Sequence, residues 1–135
     1  MFNVVKIISS GANVPEICRM PTSSSVNYQV GSALVITSGR LQNATATSMP
    51  TYIAAESAEA GEKSTLACYA ITPNMIFEVP VSGTPSLSKI GTKVQLGISD
   101  GFATSVTLTT TDGVATIVDT RDATKSGEKI LVKFI

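Results

Sequence analysis

The sequence predicts an all-β protein: a single compact β-barrel or β-sandwich (tulip-like) with an internal strand repeat and an extended N-terminal arm. Three observations support this fold class. The chain has 135 residues, which is the size of one domain. Its short apolar segments lie at near-regular spacing between Gly, Pro and Asp-Gly turn signals, as in barrels and sandwiches. No segment combines a helical period with capping residues.

The first part of the chain, residues 1–30, is predicted to be the extended N-terminal arm. Residues 2–8 resemble a short strand, but Pro15, Pro21 and the polar run 22–25 interrupt the rest of this part too often for a regular element. Apolar side chains are spread through residues 1–30. We therefore expect the arm to lie on its own core or on a neighbouring molecule.

The remaining residues, 31–135, are predicted to form the barrel or sandwich domain. Turn signals such as Ser38-Gly39 and Asp100-Gly101 separate the apolar segments and indicate hairpins. The predicted strands are, in order, 33–37, 40–46, 52–55, 64–71, 75–81, 93–98, 105–110, 114–118 and 129–135.

Two stretches, 31–81 and 91–135, are interpreted as copies of one strand unit. Each begins at a glycine, continues through a hairpin and a further strand, and reaches a Gly-Glu-Lys turn at 61–63 or 127–129. Glycine takes turn conformations that other residues resist, and an apolar strand follows each turn. The repeat predicts a pseudo-symmetric body rather than two separate domains.

The two cysteines, Cys18 and Cys68, lie far apart in the sequence and have no CxxC or Cys/His spacing. We interpret them as buried small hydrophobes in a reducing compartment. The sequence leaves open whether they pair.

The composition argues against several function classes. The 10 basic and 10 acidic residues give a formal net charge of +0, whereas nucleic-acid-binding proteins usually present a basic face. The chain has no histidine, which excludes a Ser-His-Asp triad and a Cys-His pair. Phosphate-binding glycine motifs, metal-ligand spacings and membrane-length apolar stretches are absent. We therefore predict a non-enzymatic protein with no catalytic residue, cofactor, metal, nucleic acid or membrane partner.

Four segments share a recognisable layout. Residues 28–41 contain a Gly, apolar strand, Ser-Gly, apolar pattern, residues 50–54 read Pro-Thr-Tyr-Ile-Ala, residues 60–63 read Ala-Gly-Glu-Lys, and residues 76–80 read Ile-Phe-Glu-Val-Pro. This layout resembles the small capsid decoration (cement, head-stabilising) proteins of tailed bacteriophages. The resemblance covers most of the chain from about residue 28 and thins after Gly83. It implies a barrel-like or tulip-like fold and assembly, often as trimers, on the outside of a capsid.

The function implied by the resemblance is that of a structural virion protein, made in the host cytoplasm, which binds the assembled capsid surface and bridges major capsid subunits. A protein that binds only the assembled shell stabilises it by mass action. The partners are then the major capsid protein and further copies of the chain, with a homotrimer favoured. The expected contact residues lie on the arm and on the loop 56–62: Phe2, Val4, Ile7, Ile8, Arg19, Glu56, Glu59 and Glu62. We expect deletion of residues 1–20 to abolish capsid binding while leaving the domain folded.

Two other function classes remain open from the residues alone. A tail-tube, connector or fibre-base subunit would form rings or tubes, visible by electron microscopy, instead of compact trimers. A small β-barrel ligand-binding module would be stabilised in a thermal-shift assay by a sugar or a nucleotide.

Overall fold

The structure, a computed structural model, describes residues 1–7 and 16–135 and confirms the all-β class, with 46% strand and 2% helix. The strands are β1 (Asn3–Ile7), β2 (Ile17–Pro21), β3 (Ala33–Thr37), β4 (Arg40–Asn43), β5 (Tyr52–Ala54), β6 (Thr65–Ala70), β7 (Met75–Pro80), β8 (Lys93–Val94), β9 (Leu96–Ser99), β10 (Phe102–Val106), β11 (Ala115–Asp119) and β12 (Lys129–Lys133). One turn of 3-10 helix, Leu87–Lys89, precedes β8.

The strands form two antiparallel sheets that pack together as a compact β-sandwich. One sheet has five strands in the order β1-β7-β12-β11-β8. The other has the order β2-β6-β5-β3-β10-β9, with β4 paired to β3. Of the two predicted architectures, barrel and sandwich, the sandwich is the one observed. β1 and β2 each form the edge of a sheet.

The buried apolar side chains of the described residues form two clusters. The larger cluster combines residues of both sheets, among them Phe77 and Ile130 from one and Ile53 from the other. The smaller cluster, which includes Leu66 and Cys68 of β6, belongs to the seven-stranded sheet and its connections. Side chains alternate between the two faces of a strand, so one sheet can contribute to both clusters.

The strand pairing supports the predicted internal repeat. In the first unit, β3 forms a hairpin with β4 and pairs with β5, which pairs with β6, which pairs with β2. In the second unit, β9 forms a hairpin with β10, and β8 pairs with β11, which pairs with β12, which pairs with β7. Because β7 occupies the place of β2, it belongs to the second unit. The units therefore run over 17–70 and 75–133, rather than over 31–81 and 91–135.

Equivalent hydrogen bonds define the start of each unit. The Gly31 amide donates to the Ala54 carbonyl and the Gly91 amide to the Ile117 carbonyl, each at 2.8 Å. Gly31 and Gly91 have φ values of +79° and +86°, a region that L-residues with a Cβ resist. Both glycines therefore start their strands through the same turn.

The expected N-terminal arm differs from the observed structure. The described residues of 1–30 include β1, which pairs with β7, and β2, which pairs with β6, so both are part of the sandwich. The ring of Phe2 is buried and packs against Phe77 and Phe134, with centroid separations of 6.3 and 5.6 Å. Deleting residues 1–20 would remove two strands and a core ring. We therefore expect such a deletion to unfold the domain, in contrast to the expectation from the sequence alone.

Candidate partner-binding surface

The structure separates the residues that the sequence assigned to partner contact. The assignment of Phe2 to partner contact is corrected by the structure, because its ring is buried in the core and offers no surface to a partner. Val4 and Ile7 on β1 are only partly buried but pack against the larger core cluster. Ile8 lies outside the described residues. The four remaining residues, Arg19, Glu56, Glu59 and Glu62, lie at or near the surface.

β2 presents a sheet edge that is open along its first residues, Ile17 to Arg19, whereas its end lies against β4, where Thr22 bridges to Leu41. The Thr22 amide, just after β2, donates to the Ser64 carbonyl at 3.0 Å, so by antiparallel alternation residues 17, 19 and 21 direct their backbone groups away from β6. Pro21 has no amide hydrogen to leave unpaired there, as is usual for proline on an edge strand. Ile17 is 58% exposed, and the Arg19 side chain is 62% exposed. This edge offers both apolar and charged contacts.

Glu56 joins the loop after β5 to the paired strands β2 and β6. Its Oε2 accepts a hydrogen bond from Lys63 at 2.7 Å, its Oε1 accepts one from the Ala67 amide at 3.0 Å, and Arg19 lies 3.6 Å away. The Ala67 amide first, and then Lys63, hold the pKa of the Glu56 carboxyl below its ordinary value of 4.5. Glu56 therefore stays ionised near neutral pH and fixes the loop beside Arg19.

Glu59 and Glu62 form an exposed acidic turn beyond Glu56. The Glu62 carboxylate accepts a hydrogen bond from the Glu59 amide at 2.7 Å, and Asn27 Oδ1 accepts one from the Ala60 amide at 2.8 Å. These bonds hold the turn in one conformation. The turn borders an open cleft of about 610 Å³, which is lined by Asn27, Tyr28, Gln29, Ser57, Ala58, Glu59, Glu62 and Phe102.

A second cleft, which we call the basic cleft, lies at the Thr22 end of β2. It has a volume of about 470 Å³ and is lined by Thr22, Ser23, Ser24, Arg40, Gly61, Lys63 and Ser64. Arg40 Nη1 donates to the Thr22 carbonyl at 2.8 Å, which ties the β3–β4 hairpin to the end of β2. We define the candidate partner-binding surface as the β2 edge (Ile17 and Arg19) together with the acidic turn and the basic cleft.

Sequence reasoning missed Ile17 and the edge position of β2. A signal was present in the sequence, because residues 17–22 read Ile-Cys-Arg-Met-Pro-Thr and residues 76–81 read Ile-Phe-Glu-Val-Pro-Val. Aligning these segments would have identified residues 17–21 as a strand. It would not have shown that β1 covers β7 while the outer side of β2 is left open at Ile17 and Arg19.

Within the described residues, no group of three or more Cys, Asp and Glu side chains is placed to hold a metal ion. No helix in that part of the chain has the length and apolar character needed to cross a membrane. The surface consists of backbone edges, carboxylates, guanidinium groups and exposed apolar side chains. Such groups suit noncovalent recognition of another macromolecule.

Comparison with known proteins adds no assignment. No protein-family model matches the chain, and no curated protein matches it.

Proposed function

We propose that this protein is a structural virion subunit that binds the outside of an assembled phage capsid and stabilises it by bridging major capsid subunits. The observation that carries the proposal is the open β2 edge, where Ile17 and Arg19 are exposed on a rigid sandwich beside an ordered acidic turn. Exposed edge strands are templates for pairing with another chain. The resemblance of residues 28–41 and 76–80 to capsid decoration proteins supports the capsid as the partner.

Bridging requires a body that does not deform. Two strand units joined through the seven-stranded sheet and a shared core provide such a body. A subunit that binds the assembled shell, and not the free capsid protein, raises the stability of the shell by mass action. The surface is chemically mixed, with apolar, acidic and basic parts, as is usual for interfaces between proteins.

The test is co-sedimentation of the purified protein with assembled capsids and, separately, with unassembled major capsid protein. We expect the double variant I17S/R19S to bind capsids at least about tenfold more weakly, which corresponds to about 1.4 kcal/mol. The double variant K89S/I90S is the matched control, since it removes a basic and an exposed apolar side chain elsewhere on the surface. Equal binding of wild type and I17S/R19S would remove this surface from the proposal, and no capsid binding by wild type would refute the function.

The proposed assembly state is a homotrimer on the virion surface, as the resemblance implies. Light scattering on a size-exclusion column measures the mass of the free protein, and electron microscopy of decorated capsids measures the mass per binding site. Rings or tubes formed by the purified protein would instead favour a tail or connector subunit.

A second candidate function, binding of a small ligand, is favoured by the cleft beside Tyr28 and Phe102. Its volume of about 610 Å³ is in the range of ligand sites, and Asn27 and Gln29 line it with amide groups. A thermal-shift screen with sugars and nucleotides tests this function. A shift that Phe102→Ala abolishes would support it.

A further inference from the structure

Cys18 and Cys68 lie directly opposite each other on neighbouring strands. Cys18 of β2 pairs with Cys68 of β6 in the sheet register, and their Sγ atoms are 3.7 Å apart. Directly opposed residues of an antiparallel pair have Cα atoms about 4.5–5.5 Å apart, within the range of about 4.4–6.8 Å found in disulfides. A bond between the two sulfurs therefore needs side-chain rotation and only a small approach of the strands.

The repeat shows why this position matters. The equivalent pair in the second unit is Phe77 and Val132, and there β7 lies between β12 and β1. β2 pairs with β6 along its whole length, at the edge of its sheet. On its other side, the bridge from Thr22 to Leu41 of β4 supports the end of β2 but not its middle, which a covalent link from Cys18 to β6 would secure.

We propose that Cys18 and Cys68 are a disulfide-forming modification site, at which a small-molecule disulfide such as oxidised glutathione links β2 covalently to β6. The thiols are free in the described structure, and the proposal concerns the oxidised form of the protein.

The reaction proceeds in two thiol–disulfide exchanges. Cys18 is half-buried, whereas Cys68 is fully buried, so the oxidant reaches Cys18 first. The Cys18 sulfur bonds to one sulfur of oxidised glutathione, whose S–S bond breaks and releases one glutathione, which takes up the Cys18 proton. The Cys68 sulfur then bonds to Cys18 Sγ, the mixed disulfide breaks, and the second glutathione leaves with the Cys68 proton. Two protein thiols are oxidised and one external disulfide is reduced to two thiols.

The second exchange is expected to be slower than the first. Burial, together with the neighbouring Cys18, raises the pKa of the Cys68 thiol to about 12. The thiolate is the attacking species, so little of Cys68 is reactive at neutral pH. The mixed disulfide on Cys18 should accumulate before the internal bond closes.

The test uses the full chain and follows thiol content and intact mass during incubation with oxidised glutathione. We expect both thiols to be lost from a monomer whose mass falls by two hydrogens, after a transient glutathione adduct. The thermal midpoint of the oxidised protein should exceed that of the reduced protein by on the order of 10 °C, because the bond closes a long loop. Adding a reductant should reverse the shift.

Two variants serve as controls. Cys18→Ser should show no thermal shift with the oxidant. Cys68→Val, which places the residue of the second unit at this position, should stop at the glutathione adduct of Cys18. Persistence of both thiols in wild type, bonds formed only between molecules, or an oxidised form no more stable than the reduced one would each overturn the proposal.

Discussion

At the scale of single residues, equivalent positions of the two units carry different charges. Arg19 on β2 corresponds to Glu78 on β7, and each takes part in a surface ion pair, Arg19 with Glu56 and Glu78 with Arg121. Hydrogen bonding from Arg121 holds the pKa of the Glu78 carboxyl below its ordinary value. The two units thus share a backbone pattern but present different charges to a partner. This difference agrees with our proposal that the first unit carries the binding surface.

The effect of Glu56 on stability should depend on pH. Because its folded-state pKa lies below the ordinary value of 4.5, its stabilising contribution is complete above about pH 4.5 and is lost as the pH falls through the lowered pKa. We expect Glu56→Gln to lower the free energy of unfolding at pH 7 by less than about 1 kcal/mol, as for other surface ion pairs. The difference from wild type should shrink at about pH 3.

Urea unfolding of wild type and Glu56→Gln at both pH values tests this prediction, because it measures their free energies of unfolding. Glu59→Gln is the control, because the Glu59 side chain is exposed and has no salt bridge within the described residues. A difference between wild type and Glu56→Gln that is the same at both pH values would contradict the assignment.

At the scale of elements, turns fix the register of the strands. Ser38-Gly39 and Asp100-Gly101 both have two successive positive φ values, the conformation of a two-residue type I′ hairpin. Gly113 has a different role, because it packs against the backbone of β8. A Cβ on Gly113 would lie 2.2 Å from the Lys93 carbonyl oxygen. The chain just before β11 can therefore lie this close to β8 only because Gly113 has no side chain.

We expect Gly113→Ala to lower the free energy of unfolding by on the order of 3 kcal/mol, because the backbone of β8 or β11 must shift. Gly101→Ala is the matched control. The added Cβ would meet open space there, so the variant is strained only by the φ of +85° at this position. That strain costs about 1–2 kcal/mol. Thermal or urea unfolding of both variants measures their free energies of unfolding. Equal losses of stability in the two variants would show that the backbone around Gly113 relaxes to accept the Cβ.

At the scale of the whole molecule, the N-terminal strand closes one sheet and completes the core. β1 covers the outer edge of β7, and Phe2 packs with Phe77 and Phe134. The α-amino group of Met1 donates to the Thr104 carbonyl at 2.5 Å, beside the second unit's hairpin. The chain's first residues thus contribute to stability, whereas β2 presents the surface that we propose for binding.

Removal of residues 1–7 should therefore destabilise the entire sandwich. We expect the loss to exceed the about 3–5 kcal/mol typical of replacing one buried Phe by Ala, since a strand is lost as well. Val5→Ala provides the control, because Val5 is 49% exposed on the same strand and should change the free energy of unfolding little. A truncated protein that unfolds at the wild-type midpoint would refute the role of β1.

The sequence by itself determined the strand-rich class, most strand positions and the existence of a repeat. These features are local: alternation, turn residues such as Asp100-Gly101, and the recurrent Gly-Glu-Lys turns depend on neighbours in the chain. The predicted strand 93–98 is divided at Gln95 into β8 and β9, because its two halves pair with different strands, β11 and β10. That division follows from pairing and has no local signal.

Only the tertiary structure decided which part of the chain is buried and which is available to a partner. Phe2 and Ile17 are both apolar residues of the predicted arm, yet one lies among core rings and the other is 58% exposed. The difference arises because β1 adds to β7 with Phe2 over the core, whereas β2 ends its sheet. Likewise, the register between β2 and β6 places Cys18 opposite Cys68, which are 50 residues apart in the chain. Such contacts join segments that are distant in the chain, and they are determined by how the strands pair within each sheet.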